Sequence, residues 1–176
     1  MLLLFEDGVH DFDLESLVEL LEVLDHQIEN SEAEISSSTD PDGSGCFDRL
    51  EGAVGLGFVA CQQYIHATYP RLIDDPKLTA TKRKLKAIKS PPIHSNRERP
   101  IAIAEVINAA ANFWKHHDEG VPKPETMDVM NSLVPPSADY KMGKVLYELV
   151  KPEPSRFASV VRLLTEWRDL LVDAHV

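Results

Sequence analysis

The sequence has little of what marks secreted, membrane-spanning or nucleic-acid-coating proteins. Its only two cysteines are Cys46 and Cys61, too few for a disulfide framework, so a reducing cytoplasm is the expected location. No apolar run approaches the ~20 residues of a membrane span. The first five residues carry no basic group before Glu6 and Asp7, unlike a signal peptide. Lysine and arginine total 18 against 29 acids, a net charge of −11, which argues against a surface built to hold nucleic acid.

What the sequence does have is helical periodicity. Of its 176 residues, 43% are hydrophobic and 27% are charged, the balance of an ordinary globular protein. We expect one domain over residues 1–176, an all-α helical bundle of about five to seven helices with no strands. The main irregular stretches are the loop 36–46 and the basic segment 77–99. Helices are predicted over the segments 14–28, 47–69, 77–89, 101–117, 127–133, 138–150 and 155–174.

Specific residues mark the ends and faces of these helices. Asp13 is the expected N-cap of the first helix. Pro70 is expected to close the second helix, and Pro100 to lie at the first turn of the helix that follows it. Each of the three glycines in 52–57 costs roughly 1 kcal/mol of helix propensity, which favours a close crossing by another helix. The apolar positions of the first helix form one wide stripe that we expect to be buried: Leu14, Leu17, Val18, Leu20, Leu21, Val23, Leu24 and Ile28.

Residues 40–51 have the spacing of a calcium loop. Oxygen-bearing side chains stand at loop positions one, three, five, nine and twelve, Gly45 stands at the sharp turn, and Cys46 would offer its backbone carbonyl at position seven. The stretch resembles an EF-hand loop and lies between two predicted helices. The resemblance implies a Ca²⁺ site with Glu51 as a bidentate ligand. Its side-chain ligands would be Asp40, Asp42, Ser44, Asp48 and Glu51.

The same stretch has a plainer interpretation. Residues 36–39 are polar where the incoming helix of an EF-hand would be apolar, and Pro41 is unusual at position two. EF-hand loops usually occur in pairs, and the sequence contains no second one. The alternative is a solvated turn rich in serine, glycine and aspartate.

A second candidate site lies on the helix predicted over 101–117. Asn112, Lys115 and His116 fall on its polar face, where they could bind phosphate or perform acid–base chemistry. The adjacent His116 and His117 point about 100° apart on a helix, so they cannot chelate one metal ion together. The alternative is an ordinary helix C-terminus, where cationic side chains are favoured by the helix dipole.

The last predicted helix carries a third candidate. Arg168 and His175 are separated by six residues and fall on one face of the helix. This spacing resembles the Arg-x4-6-His motif of HEPN-type helical-bundle ribonucleases. The resemblance implies catalytic roles for Arg168 and His175, facing the same pair on a dimer partner.

Charge is segregated along the chain. Residues 77–99 contain eight cations and one acid, whereas residues 1–51 contain 15 acids and one arginine. The basic segment 77–99 is the only stretch from which we would expect nucleic-acid binding, but it has no interleaved aromatic residues for stacking bases. The preferred interpretation is a solvated loop and helix, which the acidic N-terminal part of the chain could neutralise. The segregation would also suit a self-complementary dimer.

Three functions are compatible with these features. The preferred one is a protein-binding or regulatory module, not an enzyme, whose acidic first helix binds a basic protein partner or a second copy of the chain. Small bacterial immunity proteins and antitoxins use such charge complementarity. The alternatives are a HEPN-like ribonuclease and a calcium-binding helical protein, and no membrane association is expected. The acids of the first helix are Glu15, Glu19, Glu22, Asp25, Glu29 and Glu32.

Overall fold

Helix α2 (Cys46–Leu72) packs against helices on several sides, and the other elements are arranged around it. The structure is a computed structural model, and the residues it describes are 2–5, 8–40, 45–73, 79–91, 93–94, 100–120 and 122–174. Within them it has seven α-helices, which confirms the predicted all-α bundle. The other elements are β1 (Leu2–Phe5), β2 (Gly8–Asp11), α1 (Phe12–Ser37), α3 (Ala80–Lys89), β3 (Ile93–His94), β4 (Ile101–Ala102), α4 (Ile103–His116), a short 3-10 helix (His117–Glu119), α5 (Pro124–Leu133), α6 (Lys141–Val150) and α7 (Phe157–Asp173).

Two short antiparallel pairs accompany the helices, which the sequence did not predict. Strand β1 pairs with β2 and strand β3 pairs with β4. With four and two residues per strand, these elements are too short to show the alternation by which strands are identified. Because Ile101 and Ala102 pair with β3, helix α4 begins at Ile103, and the expectation that Pro100 lies in its first turn is wrong.

The ends of α1 and α2 also differ from the prediction. The N-cap of α1 is Asp11, whose Oδ1 accepts a hydrogen bond from the backbone N–H of Leu14 at 3.1 Å, whereas Asp13 lies in the first turn and pairs with Arg71. Helix α2 continues through Pro70 to Leu72. The backbone N–H of Ile73 still bonds to the helix at the Tyr69 carbonyl, so one missing N–H near the end does not stop the helix.

The apolar stripe of α1 is narrower than predicted. Leu14, Leu17, Leu21 and Ile28 are buried, and α1 packs against α2 and α7. Two residues of the predicted stripe instead face outward, contrary to the expectation. Leu20 is 48% exposed and Val23 is 66% exposed.

Two of the three clustered glycines mark close helix crossings, as expected. A Cβ atom at Gly55 would lie 2.1 Å from the ring of Trp114, and one at Gly57 would lie 2.1 Å from the ring of Phe157. Trp114 belongs to α4 and Phe157 to α7, so α2 admits both neighbours through positions without side chains. The expectation is wrong for Gly52, beside which a Cβ would meet nothing within 4 Å among the described residues.

Carboxylates of α1 hold the start of α7. The Asp25 oxygens accept hydrogen bonds from the backbone N–H groups of Phe157 at 2.7 Å and Ala158 at 2.9 Å. Arg156, immediately before α7, donates to Glu32 at 3.2 Å. The two bonds to Asp25 satisfy N–H groups that a helix N-terminus leaves without intrahelical partners. Together with the Arg156–Glu32 pair, they fix α7 along α1.

Candidate functional site

The predicted calcium loop runs into the first turns of α2. Cys46 is the first residue of that helix and Glu51 lies within it. Both carboxylate oxygens of Glu51 accept hydrogen bonds at 2.8 Å from the backbone N–H groups of Met142 and Gly143, which open α6. Burial raises the pKa of the Glu51 carboxyl. Glu51 therefore caps α6 in the structure.

Other predicted ligands of this loop are also dispersed. Cys46 is buried, with its Sγ donating to Glu34 Oε2 at 3.2 Å, and Asp48 is exposed on α2. Among the described residues no group of three or more His, Cys, Asp or Glu side chains is arranged to hold a metal ion. Asp42 and Ser44 lie outside the described residues, so calcium binding stays a prediction.

The polar face of α4 is tied to α2 by one buried glutamine. Gln62 is 2% exposed, and its Nε2 donates to Asn108 Oδ1 at 2.8 Å and to Asn112 Oδ1 at 3.0 Å. Its Oε1 accepts a hydrogen bond from Lys115 Nζ at 2.7 Å. The Gln62 amide thus has a partner at each of its polar atoms, as a buried amide requires.

Lys115 and His116 point to different sides of α4. Lys115 turns toward α2 through Gln62, whereas the His116 Nδ1 lies 2.7 Å from Glu119 Oε2. His116 lines a cavity of about 380 Å³ together with Asn112 and Lys123. The structure therefore does not bring the three predicted residues into one site. Asn112 shares the partner Gln62 with Lys115 and lines a cavity with His116, but Lys115 and His116 have different partners.

A cluster of basic side chains lies where α2, α3 and α4 meet. His66 stands one turn beyond Gln62 on α2, so the two side chains share a face. Burial lowers the pKa of His66, and the nearby charges of Lys84 and Lys115 lower it further. The pKa of Lys115 is lowered by burial and by Lys84. Burial and the two lysines thus disfavour the protonated form of His66.

A cavity of about 370 Å³ opens beside this cluster, between α2 and α3. The Nε2 atom of His66 is buried and has no hydrogen-bond partner among the described residues. Burying a polar atom without a partner is costly. Described residues lining the cavity are His66, Tyr69, Pro70, Ala80, Arg83, Lys84 and Ala87.

Arg168 lies in a buried network rather than on an open surface. It is 8% exposed; its Nη1 lies 3.4 Å from Asp11 Oδ2 and its Nη2 lies 2.7 Å from Asp169 Oδ1. The hydroxyl of Tyr64 donates to the same Asp11 oxygen at 2.6 Å. The guanidinium thus joins α7 to the start of α1. His175 lies outside the described residues, so the ribonuclease pair stays a prediction.

The acids of α1 fall into two groups. Asp25, Glu29 and Glu32 contact the start of α7 or the arginine before it, so these three acids have partners within the fold. Glu15, Glu19 and Glu22 are exposed. No ion pair of these three acids occurs within the part of the chain that the structure describes.

The sequence did not indicate that Gln62, His66 and Lys84 lie in one region. Gln62 and His66 were not singled out, although their four-residue spacing on α2 is visible in the sequence. Lys84 was noticed only as one charge within the basic segment. What joins them is the packing of α3 and α4 on α2, a long-range arrangement that local spacing does not reveal.

Helices α1 and α2 both exceed the ~20 residues that a membrane span needs. Charged side chains interrupt both helices, and none of the helices in the described residues is long and apolar enough to cross a membrane.

A comparison of the chain with protein-family models, with curated proteins and with solved structures found no match.

Proposed function

We propose that the protein is a binding module whose outer α1 face engages a basic protein partner. The observation that carries this proposal is that Glu15, Glu19 and Glu22 have no ion-pair partner among the described residues. Other acids of the same helix are used within the fold. A partner would supply the cations that these three acids lack.

The spacing of the three acids supports this interpretation. Glu15, Glu19 and Glu22 are separated by four and three residues, so they form one stripe along the helix. Like charges at such spacings destabilise a helix by a few tenths of a kcal/mol. A stripe of this kind costs stability in the isolated chain, and a cationic partner would remove that cost.

Exposed apolar side chains lie next to the stripe. Leu20 is 48% exposed and Val23 is 66% exposed, three residues apart on the outer side of α1. An apolar pair flanked by acids is the pattern by which a helix docks into an apolar groove with a basic rim. We define the outer α1 face as Glu15, Glu19, Leu20, Glu22 and Val23.

The partner is therefore a protein surface that is both basic and apolar. Complementary charge would speed the encounter, and its contribution would weaken as salt is added. The apolar pair would supply contact area that salt does not screen. This combination distinguishes a specific interface from general attraction to a chain of net charge −11.

A designed probe can test the outer α1 face. The probe is a helical peptide of leucine and lysine about four turns long, with a second peptide in which serine replaces leucine as the equal-charge control. We expect calorimetry to show tighter binding of the Leu/Lys peptide. Chemical-shift changes should be largest along the outer α1 face.

The variants for this test are matched in charge and spacing. Glu19→Lys with Glu22→Lys should weaken binding of the Leu/Lys peptide at least about tenfold, or 1.4 kcal/mol. Glu125→Lys with Asp128→Lys changes the charge equally on the exposed side of α5 and should have little effect. Equal weakening by both pairs, or equal binding of the two peptides, would contradict the proposal.

A further inference from the structure

We propose that the groove along α4, between α3 and α5, binds an uncharged peptide in an extended conformation, with the side-chain amides of Asn108 and Asn112 donating to two of its backbone carbonyls. This α4 groove consists of two cavities of about 350 and 380 Å³ that share the lining residues Asn112, Lys123 and Thr126. No described residue of α1 lines either cavity, so the proposal is independent of the outer α1 face.

A lysine fixes the polarity of the hydrogen-bond network beneath the groove. The ammonium group of Lys115 can only donate, so the Gln62 atom that it contacts at 2.7 Å must be the oxygen. The other polar atom of this amide is then the nitrogen, which donates to side-chain oxygens of Asn108 at 2.8 Å and of Asn112 at 3.0 Å. The positions of oxygen and nitrogen in both asparagines thus follow from one cation.

The amino groups of the two asparagines are left for a ligand. Oxygen and nitrogen diverge from the same carbon of an amide, so a side chain whose oxygen faces Gln62 turns its nitrogen away from Gln62. Neither Nδ2 atom donates a hydrogen bond among the described residues. Asn108 and Asn112 are half-buried and line the same cavity. The α4 groove therefore presents two amide donors that the fold does not use.

The spacing of these donors matches an extended backbone. Asn108 and Asn112 are four residues apart, which places them on one face of α4 and about 6 Å apart along its axis. In an extended chain, alternate residues turn their carbonyls to the same side, about 6.6 Å apart. Two carbonyls of one extended peptide can therefore accept hydrogen bonds from both asparagines.

The charges along the groove favour an uncharged ligand. Lysines do not outnumber acids in the cavity that both asparagines line, so charge gives an anion no advantage there. A backbone carbonyl accepts a hydrogen bond without bringing a charge. The charged residues that line this cavity are Lys89, Lys123, Glu105, Glu125 and Asp128.

The walls of the groove provide apolar contacts. Leu85 and Ile88 lie on α3 and Val129 lies on α5, with Asn108 and Asn112 on α4 between them. Side chains of an extended peptide project to alternate sides of its backbone, so a peptide that turns its carbonyls toward α4 directs its side chains toward α3 and α5. Leu85 is 53% exposed, and an apolar side chain of the peptide would cover it.

A capped pentapeptide is the direct probe of the α4 groove. The part of α4 that lines the groove, from Glu105 to His116, is about 16 Å long, the length of about five extended residues. The probe is uncharged, with valine at its second and fourth positions, alanine between them and serine at both ends. In titrations of the ¹⁵N-labelled full chain, we expect the side-chain NH₂ signals of Asn108 and Asn112 to shift. The signal of Asn131, exposed on α5 and outside the described lining, should stay in place.

An acidic peptide tests the preference for an uncharged ligand. Aspartate replaces both serines of the pentapeptide, and we expect this peptide to bind at least about fivefold more weakly because the groove already contains acids. Equal or tighter binding of the acidic peptide would overturn the uncharged ligand. If millimolar uncharged peptide leaves the NH₂ signals of both Asn108 and Asn112 in place, the site itself is wrong.

Aspartate substitutions separate the ligand contact from the fold. In Asn108→Asp and Asn112→Asp one oxygen can still accept from Gln62, while the group that faces the groove changes from a donor to an acceptor. Each variant should bind the uncharged pentapeptide about tenfold more weakly. Asn131→Asp adds the same charge outside the groove and should change the affinity less than about twofold. Equal effects of the three variants, or unchanged affinity in both groove variants, would overturn the proposal.

Two further measurements make these results decisive. Melting temperatures should show that the aspartate variants are folded, and if one is not, the NH₂ shifts of Asn108 and Asn112 in the unmodified chain decide. The variant that combines Glu19→Lys with Glu22→Lys should bind the pentapeptide as the unmodified chain does. Failure of the outer α1 face and failure of the α4 groove are therefore distinguishable.

Discussion

Charged side chains are arranged differently on the two sides of α2. Toward α1 and α7, Arg168 lies between Asp11 and Asp169, and Arg156 lies against Glu32. Toward α3 and α4, burial lowers the pKa of His66 and of Lys115, and the positive charge of Lys84 lowers both further. One side joins opposite charges, and the other side brings like charges together.

This difference separates charges that maintain the fold from charges that are available to a ligand. A charge with an internal partner of opposite sign helps to hold two elements together, and its removal should lower stability. A charge without one adds little to the fold or weakens it, so its removal should leave stability unchanged or raise it slightly. The stripe of Glu15, Glu19 and Glu22 on α1 belongs to the second class together with Lys84 on α3.

The largest effect should follow from breaking the buried network on the α7 side. Asp11→Ala removes the N-cap of α1, the acceptor of the Tyr64 hydroxyl and a partner of Arg168. Because the change leaves buried polar groups without a partner, we expect it to lower the free energy of unfolding by about 3 kcal/mol. Chemical denaturation would measure the loss.

The partly exposed Asp169 is the control for this prediction. Asp169 also contacts Arg168, but its own side chain is 51% exposed. Asp169→Ala should therefore cost less than about 1 kcal/mol. If the two variants lose equal stability, the burial of Asp11 is not what makes its contacts important.

A smaller effect should separate two acids of the same helix. Asp25→Ala removes the acceptor for two backbone N–H groups at the start of α7, and the loss of such a cap costs about 1 kcal/mol. Glu22→Ala removes an exposed acid of the outer α1 face and should change stability by less than about 0.5 kcal/mol. Thermal melts of both variants would measure the difference. Equal losses of stability would contradict the distinction between acids that hold the fold together and acids that are available to a partner.

The smallest effect on stability should come from the cationic side. His66→Phe removes a buried nitrogen that has no partner among the described residues, so we expect the free energy of unfolding at pH 7.5 to change by less than about 1 kcal/mol. The comparison of the two sides fails if this variant loses as much stability as Asp11→Ala.

The pH dependence of stability should provide a further test of the same comparison. The folded state lowers the pKa of His66 through burial and through Lys84 and Lys115, so the unfolded chain binds more protons as the pH falls through the ordinary histidine range. Stability of the unmodified chain should then decrease as the pH falls from 7.5 to about 5.5. The His66→Phe variant should lose less over that range. A steeper loss in the variant would contradict the assigned direction.

Local patterns predicted the helices better than their ends. The spacing of apolar residues identified the first and last helices, because a packed helix must present one apolar face, and prolines bounded several of the helices between them. The local sequence favours Asp13 as the N-cap of α1, yet the structure has Asp11 there, which has the extra partners Tyr64 and Arg168. Those partners are 53 and 157 residues away in sequence, beyond any local pattern.

The candidate sites were harder to predict for the same reason. Glu51 matched the last position of a calcium loop, but its carboxylate accepts hydrogen bonds from α6, more than 90 residues away. Asn112 and Lys115 were correctly placed on a polar face, while their common partner Gln62 lies 50 and 53 residues earlier. Spacing identifies which side chains share a helix face, and only packing determines what that face meets.

The two tight crossings of α2 limit how this sequence can diverge. A methyl group at position 55 would overlap the ring of Trp114, and one at position 57 would overlap the ring of Phe157. In any homologue that keeps this packing, a larger residue at 55 must be accompanied by a smaller one at 114, and the same holds for 57 and 157. These position pairs should therefore covary, and they offer a way to recognise distant homologues when little other similarity remains.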